Sequence, residues 1–298
     1  DYGNSFFGNF RANDGFAHNV LNFWQYADYW SPWHGSATAW TPQSLYDPAT
    51  SDWRTRNFEF GVVDIPHPAY TNAAHRNGVK SIATIYFDPA FRPGLTFKEA
   101  FDKDPKSQGY VIAEKLVEMA KYFGYDGYFL NEEEGSLQDA RFKPFMSYLT
   151  SKGLYTQWYT NSPGTWSSVK AGLLDHGRIM NSVFLNYSWP GTQAQSIEAA
   201  KAEGYDPYQS LFFGVEANQA GFNGKHRTAT ELPNLYKSRR NHSPQASVAL
   251  FTPSDMYQRG LADAVKPKGA HKDVPLFQQD PYQWMVAERE RMYFSGVT

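Results

Sequence analysis

The chain has 298 residues, 28 basic against 30 acidic side chains and no cysteine, and aromatic residues make up 17% of it. That length suits one large domain or two small ones, with core enough to fold unaided. A net charge of −2 gives no basic footprint for nucleic acid or an anionic membrane, and the missing cysteines exclude disulfides, thiolate zinc sites and a cysteine nucleophile. No window approaches the roughly 18 unbroken apolar residues of a membrane span, so membrane insertion is not expected. Asp1-Tyr2-Gly3-Asn4 carries neither an initiator Met nor the pattern of a signal peptide. The chain therefore reads as processed or cut from something longer. Its surplus of Trp and Tyr exceeds what a core absorbs and offers flat platforms for sugars or bases, and the charge balance prefers sugars.

In chain order, the first apolar run predicts a strand over 18–26, and a weaker run over 58–63 is a candidate eighth strand. A helix over 71–77 stops at Gly78, before a strand over 81–87. The spacing then predicts a helix over 108–123, with Ile112, Leu116, Met119, Ala120 and Phe123 on one stripe and Gly124 as its stop. A strand at Gly127–Asn131 follows, then a helix at Phe142–Ser151 and a strand over 154–159. Beyond these come a strand over 182–187, a helix over 196–203, and strands at Leu211–Glu216 and Ser247–Phe251.

Alternating β and α units with nearly continuous apolar strands mean an α/β fold whose parallel sheet is covered on both faces. Eight units in this length fit a (β/α)8 TIM barrel. A doubly wound open sheet is the runner-up, but no G-x-G-x-x-G follows the first strand. The expected organisation is a single catalytic barrel over 1–298, a fragment of a longer multidomain protein. The eight histidines form neither an H-E-x-x-H nor a close pair, so no metal site is expected, and no Gly-x-Ser-x-Gly elbow is present. Lys237-Ser238-Arg239-Arg240 reads as a solvated basic patch at a helix end.

Barrel active sites lie at the C-terminal ends of the strands. The residues just past each run are acids, amides and aromatics, the groups a polyhydroxylated ligand asks for. They include Tyr26, Asp64, Asp88, Asn131 to Glu134, Trp158, Tyr159, Asn186, Tyr187, Trp189, Glu216 and Asn218. Trp24, Trp30, Trp33, Trp158 and Trp189 are candidate sugar platforms, with core packing the competing role for each. Trp189, just before Pro190, is the foremost candidate for a mobile wall of the cleft.

The most informative segment runs from Gly124 to Gly135, where an apolar strand ends in Asn131-Glu132-Glu133-Glu134. Adjacent carboxylates repel, and a buried one must be partnered or protonated more readily, so stability alone does not justify the run. Strand alternation puts Asn131 and Glu133 on one face, roughly 6.5–7 Å apart, and Glu132 on the other. An amide and an acid so placed suit glycoside cleavage assisted by the substrate's own 2-acetamido group, which needs one general acid and one group to orient the acetamide. Crowding by Glu132 and Glu134 would raise the affinity of Glu133 for its proton. Spacing alone leaves open a solvated acidic loop at the start of the next helix. It also leaves open a two-carboxylate retaining glycosidase, with Glu132 as acid/base and Glu216 as nucleophile. A third reading is a non-catalytic carbohydrate-binding barrel, which would not need the acid at 133.

The segment resembles the catalytic strand of glycoside hydrolase family 85, whose signature is Asn-x-Glu ending a strand after a Gly-(Tyr/Phe)-Asp-Gly lead-in. Residues 68–80 (PAYTNAAHRNGVK) resemble the family's characteristic helix, and Asn22-Phe23-Trp24-Gln25-Tyr26, Phe184-Leu185-Asn186-Tyr187 and Ala249-Leu250-Phe251 are similar as well. The likeness runs from about His18 to about Tyr257. It is greatest to bacterial Endo-D-type members, because Gly214-Val215-Glu216-Ala217-Asn218-Gln219 departs from the aromatic pattern of others.

The resemblance implies an endo-β-N-acetylglucosaminidase that cleaves between the two GlcNAc residues of the N-glycan core. It implies retention through an oxazoline, transglycosylation as a side reaction, and no cofactor. Carried over by motif, Asn131 orients the acetamide, Glu133 is the general acid/base, and Tyr159 lies near the oxazoline. Trp24, Tyr26, Asp88, Trp158, Asn186, Tyr187, Trp189, Glu216 and Asn218 would bind substrate. The partners implied are the N-linked glycans of glycoproteins, with accessory β-sandwich modules in the full-length protein. A secreted or cell-surface location follows from the bacterial likeness, with the cytoplasm as the alternative.

Overall fold

The computed structural model describes residues 24–32, 63–66, 68–86, 97–133, 135–161, 163–216 and 245–251. Its strands are β1 (Tyr29–Trp30), β2 (Val63–Asp64), β3 (Lys80–Tyr86), β4 (Gly127–Asn131), β5 (Tyr155–Tyr159), β6 (Ser182–Leu185), β7 (Leu211–Glu216) and β8 (Ser247–Phe251). Its helices are α1 (Pro68–Arg76), α2 (Val111–Phe123), α3 (Phe142–Ser151), α4 (Ser168–Leu174), α5 (Gln193–Ala202) and α6 (Pro207–Ser210). The sheet runs β1-β3-β4-β5-β6-β7-β8, every neighbouring pair on this path parallel.

This sheet is curled. Along the ladder β1 and β5 are three strand spacings apart, about 14 Å if the sheet were flat. Yet the Tyr29 ring of β1 stacks on Tyr155 of β5 at 4.2 Å and meets Phe212 of β7 edge-on at 5.7 Å. The strands therefore wrap around an interior, with helices on the outside. Among the described residues no ladder joins β8 to β1, so what stands is a curled parallel half-barrel, compatible with a (β/α)8 barrel.

The middle of the expected pattern agrees closely. β4, β7, β8 and α3 have the expected limits, and Gly124 takes the left-handed conformation that ends α2, its N–H bonded to the Ala120 carbonyl. The N-terminal part differs. Trp24–Tyr26 is a 3-10 turn rather than the end of a strand, and β1 begins only at Tyr29; residues 18–23 lie outside the described ones. Of the run over 58–63 only Val63 is described, as the first residue of β2, which pairs antiparallel to β3. The reason is one of space: β1 occupies the edge of β3 at Lys80 and Ser81, and β2 the same edge at Thr84 and Ile85.

The face of α2 also differs from the expected stripe. It buries Ala113, Leu116, Val117 and Ala120, while Ile112 and Phe123 are exposed. The Tyr128 phenol fixes this face by donating to the Leu116 carbonyl at 2.6 Å, beside Tyr125 at 2.7 Å. Burial holds both phenols protonated, pushing Tyr125 up to about 12 and Tyr128 further.

Alternation sorts the strand residues onto two faces. Ile85, Tyr128, Leu130, Trp158, Val183, Leu185 and Phe213 pack against the helices in the main core. Thr84, Phe129, Asn131, Tyr155, Gln157, Tyr159, Ser182 and Phe184 have the opposite parity and face the interior. At the lower end, Asp126 accepts from the Ser81 backbone N–H and pairs with His75, both at 2.8 Å, tying β3 and α1 to the start of β4. His75 is thus structural.

Candidate active site

The floor of the interior is closed by hydrogen bonds. Ser182 Oγ lies 2.6 Å from the Tyr155 hydroxyl and accepts from Gln157 Nε2 at 2.9 Å. Thr84 donates to the Pro32 carbonyl at 2.6 Å and meets Ser31 Oγ at 2.8 Å. Burial pushes the Tyr155 and Tyr29 phenols above their ordinary range, which keeps this layer neutral.

Above it stands an aromatic wall. Phe129, Tyr159 and Phe184, on successive strands, make mutual ring contacts at 5.2–6.3 Å. Tyr187 extends the wall to Tyr159 and Phe184, and reaches Phe251 on β8. Gly214 of β7 is what admits the Phe184 ring: a Cβ there would lie 2.2 Å from it. Phe129, Phe184 and Phe251 are not among the candidate site residues of the sequence, although their strand parity marks them.

Asn131 closes β4 at the upper end of this wall, in register with Tyr86 on one side and Tyr159 on the other. It is 8% exposed, and its side-chain carbonyl Oδ1 is buried without a hydrogen-bond partner among the described residues. A buried amide oxygen left unsatisfied costs about 1–3 kcal/mol, so the site holds a ready acceptor. The ladder continues one residue further, where the Glu132 N–H donates to the Tyr159 carbonyl at 2.8 Å. Glu132 is 3% exposed, which overturns the idea of a solvated acidic loop at that position, and its parity is that of Leu130, toward the helices. Glu133 is half-buried. The interior acceptor is thus followed at a spacing of two by a carboxylate that solvent still reaches.

Around Tyr159 the amide of Asn186 is fixed: Nδ2 donates to the phenol oxygen at 3.2 Å, and Oδ1 accepts from the Ser188 N–H at 3.2 Å. Three proposed platforms fall elsewhere. Trp189 is fully buried, its indole N–H donating to the Gly214 carbonyl at 2.7 Å and its ring edge-on to Phe213, so it anchors the core rather than forming a mobile wall. Trp158 has the helix-side parity and packs in the main core, because Tyr159 takes the interior position. Trp24 is buried against Ala74 and Val79. Tyr26 is exposed, and Tyr187 is half-buried on the wall. The Glu216 backbone pairs with Phe251, but its side chain lies outside the described residues, as do Trp33, Asp88, Asn218, Glu134 and the basic run at 237–240.

Residues 3–294 match glycosyl hydrolase family 85. The chain belongs to this family. It is 31% identical over 223 residues to the cytosolic endo-beta-N-acetylglucosaminidase of Danio rerio, an alignment covering 67% of this chain and 29% of that protein. The protein of the same name from Homo sapiens is 28% identical over 221 residues, covering 67% and 28%. Cytosolic endo-beta-N-acetylglucosaminidase 1 of Arabidopsis thaliana is 29% identical over 220 residues, covering 67% and 30%. The aligned part of this family 85 chain thus spans under a third of the length of these curated relatives. Their names are of cytosolic enzymes, so the secreted or cell-surface location expected from the bacterial likeness finds no support in them. Among the described residues no helix is long and apolar enough to cross a membrane.

Proposed function

We propose that this family 85 chain is the catalytic part of an endo-β-N-acetylglucosaminidase that hydrolyses the GlcNAc-β-1,4-GlcNAc linkage of N-glycans. The relatives' names support the activity. The observation that carries the mechanism is the buried, unpartnered Oδ1 of Asn131, two residues before Glu133. An acetamido N–H is a donor of the right size for that oxygen. Held there, the acetamide presents its carbonyl oxygen to the anomeric carbon of the same sugar.

The carbonyl oxygen forms a bond to C1 as the C1–O bond to the second GlcNAc breaks, and Glu133 delivers its proton to the departing oxygen. The glycan is left as an oxazolinium ion on the opposite face of C1, its N–H still held on Asn131 Oδ1. Water then attacks C1, gives its proton to the Glu133 carboxylate and reopens the ring, so two inversions yield net retention. An alcohol in place of that water gives transglycosylation. Tyr159, in register with Asn131, donates toward the acetamide and oxazoline oxygen. In this reading the sheet closes between β1 and β8 as a (β/α)8 barrel, and the protein works in the cytosol on N-linked glycans.

The two-carboxylate alternative asks Glu132 to act in the interior, against its helix-side parity and its burial. The test is to incubate the chain with an N-glycosylated peptide and weigh both products. One GlcNAc retained on the peptide is the expected result; a peptide carrying two, or none, overturns the reading.

A further inference from the structure

Asn186 bonds to a group the proposed chemistry uses, the Tyr159 phenol. Its hydrogen bonds fix which way its amide points. The Ser188 N–H can only donate, so the atom 3.2 Å from it is Oδ1, and Nδ2 is thereby turned to the Tyr159 phenol. A phenol oxygen that receives this hydrogen bond directs its own proton away from Asn186.

The turn that holds the amide is locked from behind. Trp189, fully buried, bonds the Gly214 carbonyl through its indole, and its own carbonyl accepts from the Thr192 hydroxyl and N–H, each at 2.8 Å. The Gly164 N–H donates to Ser188 Oγ at 2.8 Å, and its backbone runs so close that a Cβ would lie 2.0 Å from the Asn186 carbonyl. The adjacent Pro163 carbonyl is in turn held by the buried Lys170 at 3.0 Å. Two loops and three strands thus converge on the orientation of one amide.

We propose that Asn186 is a positioning residue that sets the donor polarity of the Tyr159 hydroxyl, so that its proton points to the Asn131 side of the interior, where the acetamide oxygen is held. This role rests on the oxazoline reading above. It specifies that the group held there is an acceptor oxygen rather than a donor. An aspartate at 186 would keep the acceptor for the Ser188 N–H but offer the phenol only another acceptor, and so would draw the Tyr159 proton away from substrate. Alanine would merely remove the constraint.

The experiment is a mutant cycle on glycopeptide hydrolysis in the full chain, with kcat and KM measured separately. Asn186→Asp should lower kcat about tenfold or more, with KM nearly unchanged. Asn186→Ala should cost less than Asn186→Asp, the reverse of the order a purely structural role gives. In a Tyr159→Phe background, Asn186→Asp should add less than about twofold, because its effect passes through the missing hydroxyl. If Asn186→Asp does not fold, Asn186→Ala in both backgrounds supplies the same cycle. Losses that multiply, or an Asn186→Asp milder than Asn186→Ala, overturn the positioning role while the functional reading stands. A wild-type chain that releases no glycan overturns the functional reading instead.

Discussion

The two ends of the sheet's interior use similar residues for opposite ends. At the floor, Tyr155, Gln157 and Ser182 meet one another, and Tyr29 and Phe212 cap them with rings. At the mouth, Asn131, Tyr159 and Asn186 again combine amides with a phenol, yet the Oδ1 of Asn131 is left open. The floor spends its polarity on holding the strands together. The mouth holds one acceptor in reserve and builds a rigid turn to orient its neighbour. Chemistry at strand ends and stability at strand starts is the division that a barrel-like sheet permits.

The largest expected effect separates the mouth from everything else. Glu133→Gln should lower kcat for glycopeptide hydrolysis by about 10²–10⁴-fold with folding intact, whereas Glu132→Gln should act through stability. A loss in kcat confined to Glu132→Gln would move the acid to the other strand face. Next comes Trp189→Ala, which removes a fully buried indole and should cost about 3–5 kcal/mol in denaturant unfolding. A sugar platform would instead show a raised KM at unchanged stability.

At the floor, Ser182→Ala takes away the oxygen shared by Tyr155 and Gln157. It should cost about 1–3 kcal/mol of stability while kcat stays within about twofold. The smallest effect lies outside both ends. Arg141, bonded to Asp139 through side chain and backbone, holds that carboxyl down to about 2. A folded pKa below the ordinary 3.8 means its contribution is complete above that value and fades as pH falls toward 2. NMR titration of Asp139 should give a midpoint near 2, and near 4 in Arg141→Ala.

The sequence made the parallel strands legible because each is a short apolar run between clear stops, and β4 could be read to the residue. The first two strands were hidden for a physical reason. β1 and β2 are two-residue ladders on one edge of β3, too short to carry a periodic signal, and Trp24 belongs to a turn packed on α1. In the site, Asn131 and Glu133 stood out because an amide and acids ending an apolar strand have no stabilising purpose. Proximity to a strand end does not by itself make a tryptophan a platform, because parity decides which face it takes. Tyr159 facing inward already sends Trp158 outward, and Phe129 and Phe184 inward. The burial of Trp189 under the 186–189 turn depends on Gly164 and Gly214, which no local pattern foretells.

The central claim is that Asn131 and Glu133 work on the substrate's own acetamide. It is tested most directly by titrating the chain with a GlcNAc-thiazoline, which mimics the oxazoline and carries no cleavable bond. The account predicts competitive inhibition of glycopeptide hydrolysis, with the affinity for the thiazoline lowered at least about tenfold in Asn131→Ala. A thiazoline that does not bind, in a chain that still cleaves the glycan and retains configuration, would contradict it.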